Sequence, residues 1–98
     1  MRVVSLTESA QRDVREALGW YRERDAAVAA RLVAELRAAV AALAAGENGT
    51  PAGPGLPAEV RRILLPHYPY AVVFVVDADA ATVLALAHQR RRPGYWRK

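Results

Sequence analysis

The 98-residue chain contains no cysteine, which excludes a disulfide framework and a thiolate zinc site and fits a reducing cytoplasm. Its two histidines, His67 and His88, have no carboxylates around them at ligand spacing, so no metal is expected. The glycines at 46–55 are interleaved with prolines and match no phosphate-binding loop. No serine sits in a nucleophile elbow. Cofactor chemistry is therefore not expected. No apolar run approaches the roughly 18 residues of a membrane span. Met1–Leu6 is too short for a secretory leader and is interrupted by Glu8. Two smaller absences carry more weight. Glu47–Ala58 has no lysine or arginine, and residues 88–98 have no acid.

The length suits one domain, residues 1–98. The apolar share of 53% leans on alanine, which implies a thin core. The net charge of +4 is unevenly placed: Arg90, Arg91, Arg92, Arg97 and Lys98 supply five cations, so the remaining residues sum to −1. A near-neutral domain with a basic end attracts phosphate backbones or an acidic protein; a merely solvated terminus is the plain alternative.

Arg2–Leu6 is a short β-branched run and predicts a strand. Thr7 is placed to cap a helix, with Glu8 in its first turn where the helix dipole favours a carboxylate. Ala10, Val14, Ala17, Leu18 and Tyr21 share one face of that helix, which should end near Arg24. Asp25 should cap a second helix with an apolar stripe from Val28 to Leu43, stopped by Gly46. So short a joint requires a helical hairpin. The alanine-rich stretch 38–45 reads as helix filler. Glu47–Ala58, with three prolines and three glycines, reads as a loop. Strands are predicted at Glu59–Leu65, Tyr70–Val76 and Thr82–Ala87, with turns at Pro66–Pro69 and Asp77–Ala81. These three should form an antiparallel meander with Tyr70–Val76 central. The fold class is α+β: a β-α-α-β-β-β order, with the helical hairpin packed on a small, mainly antiparallel sheet. The place of the first strand in that sheet is open.

The candidate site residues lie mostly in the tail. Arg90 to Arg92 could grip phosphates bidentately. Tyr95 and Trp96 could stack on bases; the commoner role of such aromatics is to pin a tail onto its domain. His88 could serve as a general base beside the arginines. A strand-end histidine bonded to the scaffold is the favoured alternative, since no partner acid or base is visible. Arg61 and Arg62 open a strand on opposite faces, either joining the same basic surface or ending the strand in solvent.

Several of these residues together carry a family resemblance. They are Asp13, Trp20-Tyr21, the Pro/Gly loop at 51–57, Val60-Arg61, Tyr68-Pro69-Tyr70, and His88-Gln89-Arg90-Arg91-Arg92-Pro93-Gly94-Tyr95-Trp96. Over nearly the whole chain the sequence resembles the ParE branch of the RelE/ParE superfamily, the toxins of type II toxin–antitoxin systems. The resemblance implies the same β-α-α-β-β-β fold. It also implies a cognate acidic antitoxin, a cytoplasmic site of action, plasmid stabilisation as a setting, and a higher-order toxin–antitoxin complex. Two activities follow from it. ParE-like members poison DNA gyrase; RelE-like members cut mRNA on the ribosome with basic residues and a C-terminal Arg and Tyr or His. Here the loop before the second predicted strand lacks a cation. Ala71 stands at the mid-sheet arginine position, and Trp96 stands at the terminal tyrosine position, where an indole cannot shuttle a proton. Only Arg90 fits its slot. The expectation is a gyrase-directed toxin that is not a nuclease, with Arg61, Arg90, Arg91, Arg92, Tyr95 and Trp96 as target-binding candidates. The alternatives are a ribosome-dependent endonuclease using His88, Arg90 and Tyr95, and a non-toxic binding module on the same fold.

Overall fold

Thr7 and Asp25 set the register of the helical hairpin. In the computed structural model, which describes residues 1–90 and 94–97, Thr7 Oγ1 accepts from Ala10 N at 3.1 Å and starts helix α1, Glu8–Arg22. Asp25 Oδ1 accepts from Ala27 N at 2.9 Å and starts α2, Ala26–Ala44. Both caps satisfy backbone donors that a helix start leaves open. Gly46, with φ of 106°, ends the second helix in a conformation that side chains resist.

The strands are β1 (Val3–Leu6), β2 (Thr50–Pro51), β3 (Arg61–Leu64), β4 (Tyr70–Asp77) and β5 (Ala80–His88). They form one sheet in the order β1-β5-β4-β3-β2. The expected meander is β3-β4-β5, with β4 in the middle, and β1 joins the edge of β5 in parallel. Two details depart from the sequence reading. The presumed loop contains β2, which pairs antiparallel with Arg61 and Arg62. Proline is tolerated there because the strand is at the sheet edge. Gly49 permits this approach: a Cβ on it would lie within 2.2 Å of the Arg62 carbonyl oxygen. The turn expected over Asp77–Ala81 is shorter, since Asp77 and Ala80 already pair, and Ala78 takes a φ of 51° to close it.

A bulge shapes the site end of the sheet. Val73 pairs with Ala85 and Phe74 with Val83, leaving Leu84 as the extra residue. β1 stops at Leu6, opposite Val83, so the rest of β5 has no strand neighbour on that side. Helix α1 covers it instead. Thr7 Oγ1 donates to the Leu84 carbonyl at 3.3 Å, and Asp13 Oδ2 accepts from Leu86 N at 3.0 Å. A helix thus supplies the hydrogen bonds that an unpaired strand edge requires.

The sheet has two unlike faces. One carries Val72, Phe74, Val83 and Leu86 against Ala10, Ala17, Leu32 and Leu43 of the helices, with Phe74, Leu32 and Leu43 fully buried. The other carries Ala71, Val73, Ala85 and Ala87, covered by Ala52, Leu56 and Val60 of the loop and by Tyr95 and Trp96 of the tail. The four consecutive buried residues Ala71–Phe74 reflect cover on both faces.

Candidate functional site

Small side chains on the tail face leave room above the sheet. Ala71 and Ala87 face each other across β4 and β5, and the chain returns over them after β5. Gln89 N donates to the Pro69 carbonyl at 2.7 Å. His88 N donates to the Tyr95 hydroxyl at 2.7 Å, and Tyr95 and Trp96 pack on the apolar cluster. The aromatics therefore pin the tail to the domain. A cavity of about 120 Å³ remains, bounded by Arg62, Ala71, His88, Gln89, Tyr95 and Trp96 among others.

The two arginines of β3 have different work. Arg61 donates from Nε to the Asn48 carbonyl at 2.9 Å and from Nη2 to the Gly49 carbonyl at 3.0 Å, fastening the β2 loop to the sheet. Arg62, opposite Val73, faces the tail-side cavity. Its Nε is buried and has no hydrogen-bond partner among the described residues.

His88 is held at both ends. Its Nδ1 accepts from Arg90 N at 3.1 Å, and its ring lies edge-on to Tyr70 with centroids 5.4 Å apart. With Nδ1 accepting, the hydrogen of the neutral ring sits on Nε2, which makes that nitrogen a donor and not a base. Arg90 is exposed, while Arg91 and Arg92 lie outside the described residues. His67, the other histidine, contacts Glu35 Oε2 through Nδ1 at 2.7 Å and ties the β3–β4 turn to α2. Among the described residues no group of three potential ligands is placed to hold a metal.

On the helix face the hairpin does not fill the space above the sheet. An apolar groove of about 560 Å³ opens there, lined by Leu6, Val14, Leu18, Leu36, Val40 and Val83 among others. Arg37 is the one charged residue on its wall among those described.

The family described as ParE toxin of type II toxin–antitoxin system, parDE, has a sequence model that matches residues 4–93. The chain belongs to the ParE toxin family. Among solved structures it is similar to a chain of the chromosomal ParDE toxin–antitoxin system from P. aeruginosa. The two share 22% sequence identity and superpose with a TM-score of 0.73, covering 90% of this chain and 96% of that one. At that identity the likeness is one of fold. No curated protein matches.

Within this ParE fold the structure brings His88, Tyr95 and Trp96 to one cavity and gives Arg61 scaffold hydrogen bonds. Arg62 is the residue that the sequence argument left in the background. Val60 is buried on the tail face, and strand alternation puts Arg62 on the same side. No helix is long and apolar enough to cross a membrane among the described residues.

Proposed function

We propose that this ParE toxin inhibits DNA gyrase by binding, without cutting RNA, and that an acidic antitoxin holds it inactive in the cytoplasm. The observation that carries the first part is the state of His88. RNA cleavage through a 2′-hydroxyl requires a base to take that proton and an acid to release the leaving group. The Nδ1 of His88 is spent on Arg90 N, and the Tyr95 hydroxyl accepts from His88 N, which fastens it to the strand end. Ala71 and Trp96 offer no proton-transfer group in their place. The target-binding candidates this leaves are in the tail: Arg90 with the half-buried Tyr95 and Trp96, and by sequence Arg91 and Arg92, which lie outside the described residues.

Neutralisation is assigned to the helix face. Family membership supports a cognate antitoxin, and the apolar groove between hairpin and sheet suits one amphipathic helix, with a carboxylate meeting Arg37. Acidic residues beyond that helix would meet the basic tail, so the association rate should fall as salt rises. Assembly into a higher-order toxin–antitoxin complex and a role in plasmid stabilisation fit the same reading.

The test is a gyrase supercoiling assay with purified protein, run beside primer extension on ribosome-bound mRNA. Inhibition of supercoiling with intact mRNA is the expected result. Codon-phased cuts that vanish in His88→Ala or Arg90→Ala, with gyrase unaffected, would instead establish the ribosome-dependent endonuclease.

A further inference from the structure

Asn48 is the chain's single asparagine, and a glycine follows it. The backbone nitrogen of the following residue can attack an asparagine side chain, and it does so most readily when that residue has no Cβ to crowd the approach. The structure surrounds this pair with the groups such a reaction needs. Gly49 N, the nucleophile, donates to Glu47 Oε2 at 2.9 Å, so a carboxylate already sits on the proton that must leave. Asn48 Oδ1, which takes up negative charge as its carbon is attacked, accepts from Arg2 Nη2. A guanidinium only donates, so the amide atom facing it is the oxygen. Two arginines also hold the backbone of the segment. Arg2 Nη1 donates to the Glu47 carbonyl at 2.9 Å, and Arg61 donates from Nε and Nη2 to the Asn48 and Gly49 carbonyls at 2.9 and 3.0 Å. The fold itself requires the glycine. Gly49 has a φ of 56°, and a Cβ on it would lie 2.2 Å from the Arg62 carbonyl oxygen, so no bulkier, slower neighbour fits while β2 pairs with β3. Asn48 is exposed, so water reaches it.

We propose that Asn48 is a self-modification site, converted to aspartate and isoaspartate by its own neighbours Glu47 and Arg2. Gly49 N bonds to Asn48 Cγ and gives its hydrogen to the Glu47 carboxylate, while Arg2 holds the oxyanion that forms on Oδ1. Glu47 then passes the proton to Nδ2, the Cγ–Nδ2 bond breaks, and ammonia leaves. The product is a cyclic imide joining positions 48 and 49. Water adds to one of its two carbonyls. Opening at Cγ leaves aspartate; opening at the former main-chain carbonyl leaves isoaspartate, whose backbone is one carbon longer. The net change is amide plus water to carboxylic acid plus ammonia, and it adds one negative charge. The longer backbone lies just ahead of Thr50 and Pro51, which pair with Arg62 and Arg61. The isoaspartate form therefore loses the β2–β3 register, and the loop that places Ala52 and Leu56 on the tail face comes loose. The site is independent of the gyrase assignment.

The test ages the purified full chain in neutral buffer and follows the peptide holding position 48 by mass spectrometry, with isoaspartate counted by a protein isoaspartyl methyltransferase. The same chain in concentrated urea, where Arg2 and Glu47 are no longer placed, is the reference. The folded chain should convert about tenfold faster than the unfolded one, below the hundredfold and more that such groups give in closed active sites, because this site is open to solvent. Glu47→Gln keeps an acceptor for Gly49 N but no base, and should slow the folded chain about tenfold. Arg2→Met, which removes the cation from Oδ1, should slow it several-fold. Circular dichroism shows that both variants are folded, and the comparison with urea needs neither of them. Asn48→Ser should yield neither product. Hydrogen exchange over residues 50–51 and 61–62 should quicken in the isoaspartate fraction; unchanged exchange there would overturn the release of β2. A folded chain that converts no faster than the unfolded one, or a folded Glu47→Gln variant that converts as fast as the parent, would overturn the proposal.

Discussion

The two faces of the sheet are built on opposite plans. The helix face is made of large apolar side chains, and its deepest residue, Phe74, is fully buried. What it leaves open is an apolar groove with Arg37 at the rim. The tail face is made of alanines and valines under a thin cover of loop and C-terminal aromatics, and what it leaves open is polar and cationic. Neighbouring residues on β4 sit on the two sides, Val73 on one and Phe74 on the other. The difference teaches that one thin sheet can separate stability from recognition. The helix face holds the fold and offers a seat to an apolar partner. The tail face holds less of the fold and exposes the charge.

The largest effect expected on this division is at Phe74. Phe74→Ala should cost about 3–5 kcal/mol, as full aromatic truncations in cores do. Val73→Ala, one residue away and on the other face, deletes far fewer buried atoms under a thinner cover and should cost about 1–2 kcal/mol. Urea midpoints measure both. Equal losses per deleted carbon would show that the two faces contribute alike.

Next in size is Asp13, which joins α1 to the open edge of β5. Asp13→Ala leaves Leu86 N without its acceptor and should cost about 1–3 kcal/mol. Asp13→Asn keeps an acceptor and should cost far less. Burial, the leading influence, raises the Asp13 pKa above its usual 3.8, against the lowering effect of the Leu86 hydrogen bond. Nearby Glu16 raises it further and Arg12 lowers it. A raised folded pKa means the folded chain holds the proton more tightly than the unfolded one. The contribution of Asp13 to stability therefore declines as pH climbs from about 3.8 through the folded pKa, and Asp13→Asn should remove that decline. A pH-stability curve unchanged by the substitution would count against this.

Truncation after Gln89 should separate fold from toxicity. It removes the cover given by Tyr95 and Trp96, both half-buried, at a cost of about 1–2 kcal/mol, while the helix-face core stays. Circular dichroism should report a folded domain and expression should be harmless to the cell. A truncated chain that is folded and still toxic would remove the tail from the account.

The smallest effect is expected far from either site. Ala78, at φ of 51°, carries a side chain in the left-handed region. Ala78→Gly should stabilise by about 1 kcal/mol, read as a higher urea midpoint.

How much of this was legible in the sequence depended on distance along the chain. Thr7, Asp25 and Gly46 announce the helices because capping is local, and the apolar runs at 70–76 and 82–87 announce two strands for the same reason. β2 was hidden because two residues have no period and one of them is proline. The bulge at Leu84 was hidden because only pairing with β4 reveals it. The cavity shows the same limit. His88, Tyr95 and Trp96 stood out as types, while Arg62 acquires its meaning only when the tail folds back over β3. Arg61 drew more attention than its neighbour, and the structure gives it the loop carbonyls of Asn48 and Gly49. Family membership was legible because its motifs are spread over nearly the whole chain.

The division of labour between the faces can be tested with one substitution in the helix-face groove. Val40 lines that groove. Val40→Glu places a charge where the antitoxin helix is assigned, without touching the tail. Antitoxin affinity and inhibition of gyrase supercoiling would be measured on the same folded preparation. The account predicts that affinity falls about 100-fold, or roughly 3 kcal/mol for a desolvated charge, while supercoiling inhibition stays within about twofold of the parent. Loss of gyrase inhibition in step with antitoxin affinity, or unchanged antitoxin affinity, would contradict it.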